Sequence, residues 1–318
     1  MRALLACVLL VVPTTASLLP AQTTLAEDLG YGPDARLLIV HADDLGMAHA
    51  VNAASFRAMD SGLVNSASVM MPTPWVTEVA AYAKTHPDAD LGLHLTLTSE
   101  WTNYRWGPMS RDSVGSLLDE RHYLHGDCAA MAAAARLADV ERELEAQVQQ
   151  ALRLGIAPTH FDAHMGCLMW TRPEFFGAYL ALGRRYGVPV LADRAGARGG
   201  RPEHRALIEP GDMLVDRIVG APNEAQGRFA DAYDGLLRGL GPGVSVLLLH
   251  CAYDGPEFRA AAAPQVPYGA AWRQEDFDYF TSERLRALLA AEDIQLVTWR
   301  ELYARWKSRT SPTGHAED

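Results

Sequence analysis

Short apolar runs alternate with longer stretches of helical spacing along most of the chain. Residues 37–40 form the first run, and 48–61 follow with apolar positions at helical intervals, stopping near Gly62. Residues 66–71 read as a second strand ended by Pro72, 75–85 as a helix, and 91–97 as a third strand. The stretch 140–154 is strongly amphipathic, with Gly155 as its stop signal. A fourth strand is expected at 159–164, a helix at 173–186, a fifth strand at 188–192 and a weaker sixth at 212–219. Residues 225–240 are helical, and 244–250 are so apolar that a strand there must be buried on both faces. A helix at 282–291, a last strand at 294–298 and a closing segment at 300–306 complete the pattern. About eight strands alternating with helices predict an α/β fold, an irregular (β/α) barrel in a single domain spanning 25–307. A doubly wound open sheet is the alternative. The lack of a glycine-rich loop after the first strand weakens it.

The two ends read differently. Met1-Arg2 precedes an apolar stretch at 3–12, Pro13 interrupts it, and small residues follow at Thr14, Thr15, Ala16 and Ser17. Residues 1–24 therefore read as a secretory signal peptide, too short for a membrane span, which predicts a periplasmic or secreted protein. Residues 308–318 read as a polar, flexible tail. The net charge is −11 and no Lys/Arg-rich run occurs, which argues against nucleic acid or an anionic membrane as partner. Beyond the leader the cysteines are Cys128, Cys167 and Cys251, an odd number without metal-like spacing. A Cys167–Cys251 pair is conceivable, because each follows a candidate histidine closely. Free buried thiols are the favoured expectation.

The chemistry concentrates where strands end. Asp43 and Asp44 close the first run, and Gly46 follows. Later strands deliver His94, His164 and His250 to comparable positions. Adjacent residues of an ideal strand point to opposite faces, so both carboxylates reach one site only if the chain turns there. The competing role for this pair is to cap the helix at 48–61. Within His160-Phe161-Asp162-Ala163-His164 the two histidines would stand about 13 Å apart on an extended strand, too far for one metal. His164 is preferred as the ligand. Asp162 is expected to orient the ligands from behind, and His160 to be a buried, hydrogen-bonded residue. Asp44, His94 and His164 make a mixed oxygen–nitrogen site for one divalent ion; zinc suits the histidines best, with magnesium the other candidate. Such an ion can lower the pKa of its water from about 16 to about 7. Asp43 can then act as base and His250 as acid, which fits hydrolysis of an amide or ester carbonyl. No Gly-x-Ser-x-Gly elbow is present, against a serine hydrolase. Long loops follow His94 and His250. Trp101, Tyr104 and Trp106 in the first either fold their own loop or stack on a sugar ring, and Arg273 in the second is counted with them as a substrate-binding candidate.

The segments HADDLG, GLHLTLT, THFDAH, LLLHCAY and RQEDFDYFTSERLR, in this order, resemble the YdjC/ChbG-type carbohydrate deacetylases, relatives of the polysaccharide deacetylases. The resemblance runs from about residue 37 to 303. It implies an irregular (β/α) barrel, with Asp43 as catalytic base, Asp44, His94 and His164 on the metal, and His250 at the active centre. It also implies a metal-dependent hydrolase removing acetyl groups from N-acetylated sugars. The alternatives are an O-acetyl esterase acting on a glycan and a non-catalytic carbohydrate-binding relative. Two departures stand out. His41 replaces a frequent Asn, and Met165-Gly166-Cys167 replace a run of histidines. Many relatives are cytoplasmic and act on small phosphorylated sugars, whereas the leader here points to an envelope or external glycan. Nothing in the sequence indicates an oligomeric state.

Overall fold

A computed structural model describes residues 23–111, 113–194, 202–265 and 267–310. Apart from Thr23 and Thr24, the residues expected to form a signal peptide lie outside the described residues, as does the chain from 311. The last helix, Trp299–Thr310, carries ordered structure two residues past the expected start of that tail. No helix among the described residues is long and apolar enough to cross a membrane. Packing begins at Leu25, which is fully buried.

Seven parallel strands form one sheet: β1 (Arg36–Leu45), β2 (Ser66–Val69), β3 (Leu91–Leu95), β4 (Phe161–Ala163), β5 (Arg217–Gly220), β6 (Gly243–Leu249) and β7 (Ile294–Leu296). Their order is β4-β3-β2-β1-β6-β5. On one edge of β1, β7 pairs with residues 36–38, and β2 takes over from His41. Beyond β4 the ladder continues through single bridges, Phe161 to Val190 and Asp193 to Val215, and Asp216 then bonds to Val244 of β6. Pairing thus runs round the ring, and the fold is an irregular (β/α) barrel rather than an open doubly wound sheet. The fifth expected strand, 188–192, is reduced to bridging. Pro189 there has no N–H to donate, and the pairing passes from Phe161 to Val215 within a few residues. The sixth expected strand is realised only at its C-terminal end, as β5.

Strand alternation divides the core and places the chemistry. Leu38, Val40 and Ala42 of β1 pack outward in the larger apolar cluster, which the surrounding helices complete. Leu37 and Ile39 join Val244, Val246, Trp299 and Leu25 in a smaller cluster inside the ring. Further along the same inner face come His41 and Asp43. The other strands follow this rule. Ala67, Leu93 and Phe161 point out, so Ser66, Ser68, His94 and Asp162 share the inner face. On β6 the inner series Val244, Val246, Leu248 leads to His250. The barrel is therefore filled with hydrocarbon at the N-terminal end of its strands and with acids, histidines and hydroxyls at the C-terminal end.

Candidate active site

Two local breaks bring the ligands inward. Between the pairs Ala42–Ala67 and Leu45–Val69, β1 advances three residues while β2 advances two. The extra residue is a bulge, and Asp44 sits in it with φ +70°, followed by Gly46 at φ +91°. An Asp held there carries local strain, of the kind that concentrates at functional sites. The bulge turns both carboxylates toward the barrel mouth. The helix His49–Asp60 is capped by Ala48 without a side-chain bond, so neither Asp43 nor Asp44 serves as its cap. The second break follows β4. The chain leaves the strand at His164 and passes through Met165 at φ +55° and Gly166 at φ +67°.

Asp44, His94 and His164 converge. Asp44 Oδ1 stands 3.4 Å from His94 Nε2 and 3.4 Å from His164 Nδ1. The far nitrogen of each ring faces a carboxylate. His94 Nδ1 lies 3.0 Å from Asp162 Oδ2, and His164 Nε2 lies 3.0 Å from Glu100 Oε2. Arg273 Nη2 donates to Asp44 Oδ2 at 2.7 Å. Burial disfavours the charged form of Asp44, but Arg273, with His164 and His250, outweighs it and holds the pKa well below the carboxylate range. Burial likewise opposes charge on His164, and Glu100 and Asp44 overcome it, raising its pKa to about 10.

A second group lies beside the first. His41 Nδ1 is hydrogen-bonded to Ser66 Oγ at 2.9 Å, and His41 Nε2 stands 3.1 Å from Asp162 Oδ2 and 3.2 Å from Asp43 Oδ1. Ser68 Oγ also donates to Asp162 Oδ2, at 2.9 Å. Burial works against the His41 imidazolium, yet Asp162 and Asp43 lift its pKa to about 10. The other oxygen of Asp43 faces His250 Nε2 at 3.6 Å. Burial pushes the His250 pKa down to about 4, against the pull of Asp44. Its backbone N–H donates to Asp276 Oδ2 at 2.9 Å, and Tyr233 donates to Asp276 Oδ1 at 2.6 Å.

A cleft of about 530 Å³ opens over these groups, lined by Asp43, Asp44, His94, His164, His250 and their neighbours. Of the four expected substrate contacts, Trp101 and Arg273 line it. Arg273 is almost fully buried and paired with Asp44, so its side chain supports a carboxylate instead of offering a free cation. Tyr104 and Trp106 do not line the cleft: the Tyr104 hydroxyl donates to the Met47 carbonyl, and Trp106 Nε1 donates to the Thr98 carbonyl at 2.8 Å. Trp106 ties its own loop together and packs edge-on near His164, while Tyr104 anchors that loop to the turn after β1. His160 is buried over Gly92, where a Cβ would come within 2.3 Å of its Nε2. Its Nδ1 bonds to Thr159 Oγ1, and it contacts the site only through the edge of His41.

Pattern reasoning missed Glu100, His41 as a hub, and Cys128. The expectation of free thiols fails for two of the three cysteines. Cys128 and Cys167 form a disulfide, while Cys251 stays free and buried. The pairing joins the helix Cys128–Ala134 to the turn after His164, a contact across 39 residues that spacing does not reveal.

The donor set fits a divalent cation. Asp44 Oδ1 is buried without a hydrogen-bond partner, and with one nitrogen from each of His94 and His164 it forms a group whose atoms lie within 4.8 Å of one another. A carboxylate lies behind each ring, Glu100 hydrogen-bonded to His164 and Asp162 in ion-pair contact with His94, as carboxylates lie behind ligating histidines in metal sites generally. His41, Asp43 and Asp162 also cluster, but they are already engaged with each other as ion pairs.

Comparison with known proteins agrees with this architecture. The sequence matches the family described as YdjC-like protein over residues 37–291. A carbohydrate deacetylase of Thermus thermophilus is 34% identical over 285 residues, covering 87% of this chain and 97% of that protein. A carbohydrate deacetylase of Geobacillus stearothermophilus is 30% identical, covering 84% and 98%. Among solved structures, a putative cellobiose-phosphate cleavage protein from Enterococcus faecalis superposes with TM-score 0.68 at 22% identity, covering 84% of this chain and 99% of that one, a likeness of fold. The protein belongs to the YdjC-like family.

Proposed function

We propose that the protein is a metal-dependent carbohydrate deacetylase that hydrolyses the acetyl amide of an N-acetylated sugar or oligosaccharide. The names of its relatives support the carbohydrate and acetyl parts of this reading. One observation carries the metal part: the unpartnered Asp44 Oδ1 faces a nitrogen of His94 and a nitrogen of His164, each ring being backed by a carboxylate. Asp44, His94 and His164 would hold one zinc or magnesium ion, which supplies Lewis acidity and a water of lowered pKa.

The protein's own residues account for the protons. His41 engages one oxygen of Asp43 and leaves the other toward His250. Asp43 takes the proton of the attacking water. His250, neutral at rest because burial depresses its pKa, accepts that proton at Nε2 and delivers it to the leaving nitrogen. The Arg273–Asp44 bond keeps the ligand carboxylate ionised and in place throughout. An O-acetyl ester would use the same residues, so the bond type is decided by assay. The leader at 1–24 and a disulfide beside the site both support export to an oxidising compartment.

The test is acetate release by metal-stripped protein, with zinc or magnesium restored, from N-acetylglucosamine oligomers and from O-acetylated sugars. Release that needs metal and disappears in His94→Ala is expected. Equal release without metal sinks the metal part, and release from esters alone reassigns the bond.

A further inference from the structure

The mouth of the cleft differs from its floor. The acids and histidines lie deep, while Met165, Met169, Trp170 and Ile218 line the approach. Trp170 is 52% exposed and Met165 49%, the two most exposed large apolar side chains among the described residues. Exposed apolar surface gathered at one rim of a cleft marks a binding surface.

Trp170 is held. Its Cδ1 and Nε1 lie where a Cβ on Gly166 would stand, at 2.4 and 2.5 Å, so the indole rests directly on the backbone of that glycine. It ends the short helix Cys167–Trp170, whose first residue is fixed by the disulfide to Cys128. Glycine on one side and a disulfide at the base make a braced aromatic platform six residues beyond His164.

We infer that Trp170 forms a sugar-binding position at the mouth of the cleft, stacking on the apolar face of a pyranose attached to the unit that reaches Asp44 and His164. The inference rests on the carbohydrate reading of the site and narrows it to a neutral oligosaccharide. The ring C–H face of a pyranose suits an indole, which offers a large apolar surface. The charges near the floor favour a neutral ligand. Among the described lining residues the one Lys/Arg side chain is Arg273, already paired with Asp44, while Asp43, Asp44, Glu100 and Asp162 are carboxylates. Even with a divalent ion in place, the four carboxylates outweigh Arg273 and the ion, so a sugar phosphate would meet net negative charge there.

The test is equilibrium binding to the metal-free protein, by calorimetry and by tryptophan emission, so that it does not depend on turnover. The probes are N-acetylglucosamine, its tetramer and its 6-phosphate. The wild-type protein is expected to bind the tetramer at least tenfold more tightly than the monosaccharide, and the 6-phosphate least well. Trp170→Ala is expected to lose about tenfold in tetramer affinity together with the emission change, and Trp170→Phe to keep most of the affinity. Thermal melting of both variants checks the fold, and Trp170→Phe carries the test if Trp170→Ala melts early. Equal tetramer affinity in wild type and Trp170→Ala, tighter binding of the 6-phosphate, or no tetramer binding by the wild type would overturn the inference. Tetramer binding that depends on Trp170, with no acetate released from the tetramer once zinc or magnesium is restored, would instead sink the deacetylase reading and leave the subsite standing.

Discussion

Arg273 Nη2 donates to Asp44 Oδ2 at 2.7 Å, with both side chains almost wholly out of water. The bond uses one oxygen of Asp44 and leaves the other facing His94 and His164. Removing the guanidinium would strand a buried carboxylate. Arg273→Met is therefore expected to cost about 3–5 kcal/mol in urea unfolding and to weaken zinc binding at neutral pH. Arg273→Lys would keep the charge but not the planar fork, and should recover only part of both. Unchanged zinc affinity in Arg273→Met would refute the positioning role.

Asp43 and Asp44 are neighbours to which the proposed mechanism gives separate duties. Asp43→Asn is expected to keep zinc affinity within a few-fold and to lower kcat by about 10²–10⁴. Asp44→Asn should lose zinc binding first. Calorimetry beside acetate release distinguishes the two, and a Asp43→Asn protein with normal kcat would remove Asp43 from the chemistry.

His41 makes the metal-free protein sensitive to alkali. Its pKa rises from about 6.5 in the unfolded chain to about 10 in the fold, through Asp162 and Asp43 acting against burial. Such a group contributes its full stabilisation below pH 6.5. The contribution shrinks as pH rises and is gone above about 10. His41→Asn should be destabilised most at pH 6 and should show a shallower fall in urea midpoint between pH 7 and 10. Parallel curves for the two proteins would contradict the assignment.

The Cys128–Cys167 bond closes a loop of 39 residues around the His164 turn. Chain-entropy arguments give such a link about 3–4 kcal/mol. Cys128→Ser, or reduction with dithiothreitol, is expected to lower the unfolding midpoint and to weaken zinc affinity several-fold by loosening His164. Zinc affinity that ignores reduction would confine the bond to global stability.

Much of the site was legible because barrel strands alternate. Asp43, His94, Asp162 and His250 fall on the inner face by parity alone once the apolar partners are assigned to the outer one. The choice of His164 over His160 depended on where the strand ends, and the chain does turn at His164. The inward reach of Asp44 needed a bulge, which Gly46 hinted at and only the register defines. Glu100 lies in an irregular loop, where no period marks a side chain that will meet a histidine 64 residues away. The same limit hid Cys128, and it left Tyr104 and Trp106 open between loop packing and substrate contact, where their polar atoms turn out to bond to the backbone.

The disulfide also carries a consequence in time. Cys167 lies three residues after His164, so the turn that carries this candidate ligand is secured by an oxidation that a reducing cytoplasm opposes. A newly made chain would leave the ribosome with that histidine on a slacker tether. If His164 holds the proposed ion, its tightest hold would come only after the sulfurs join, and the compartment in which the chain matures would set when the site is complete.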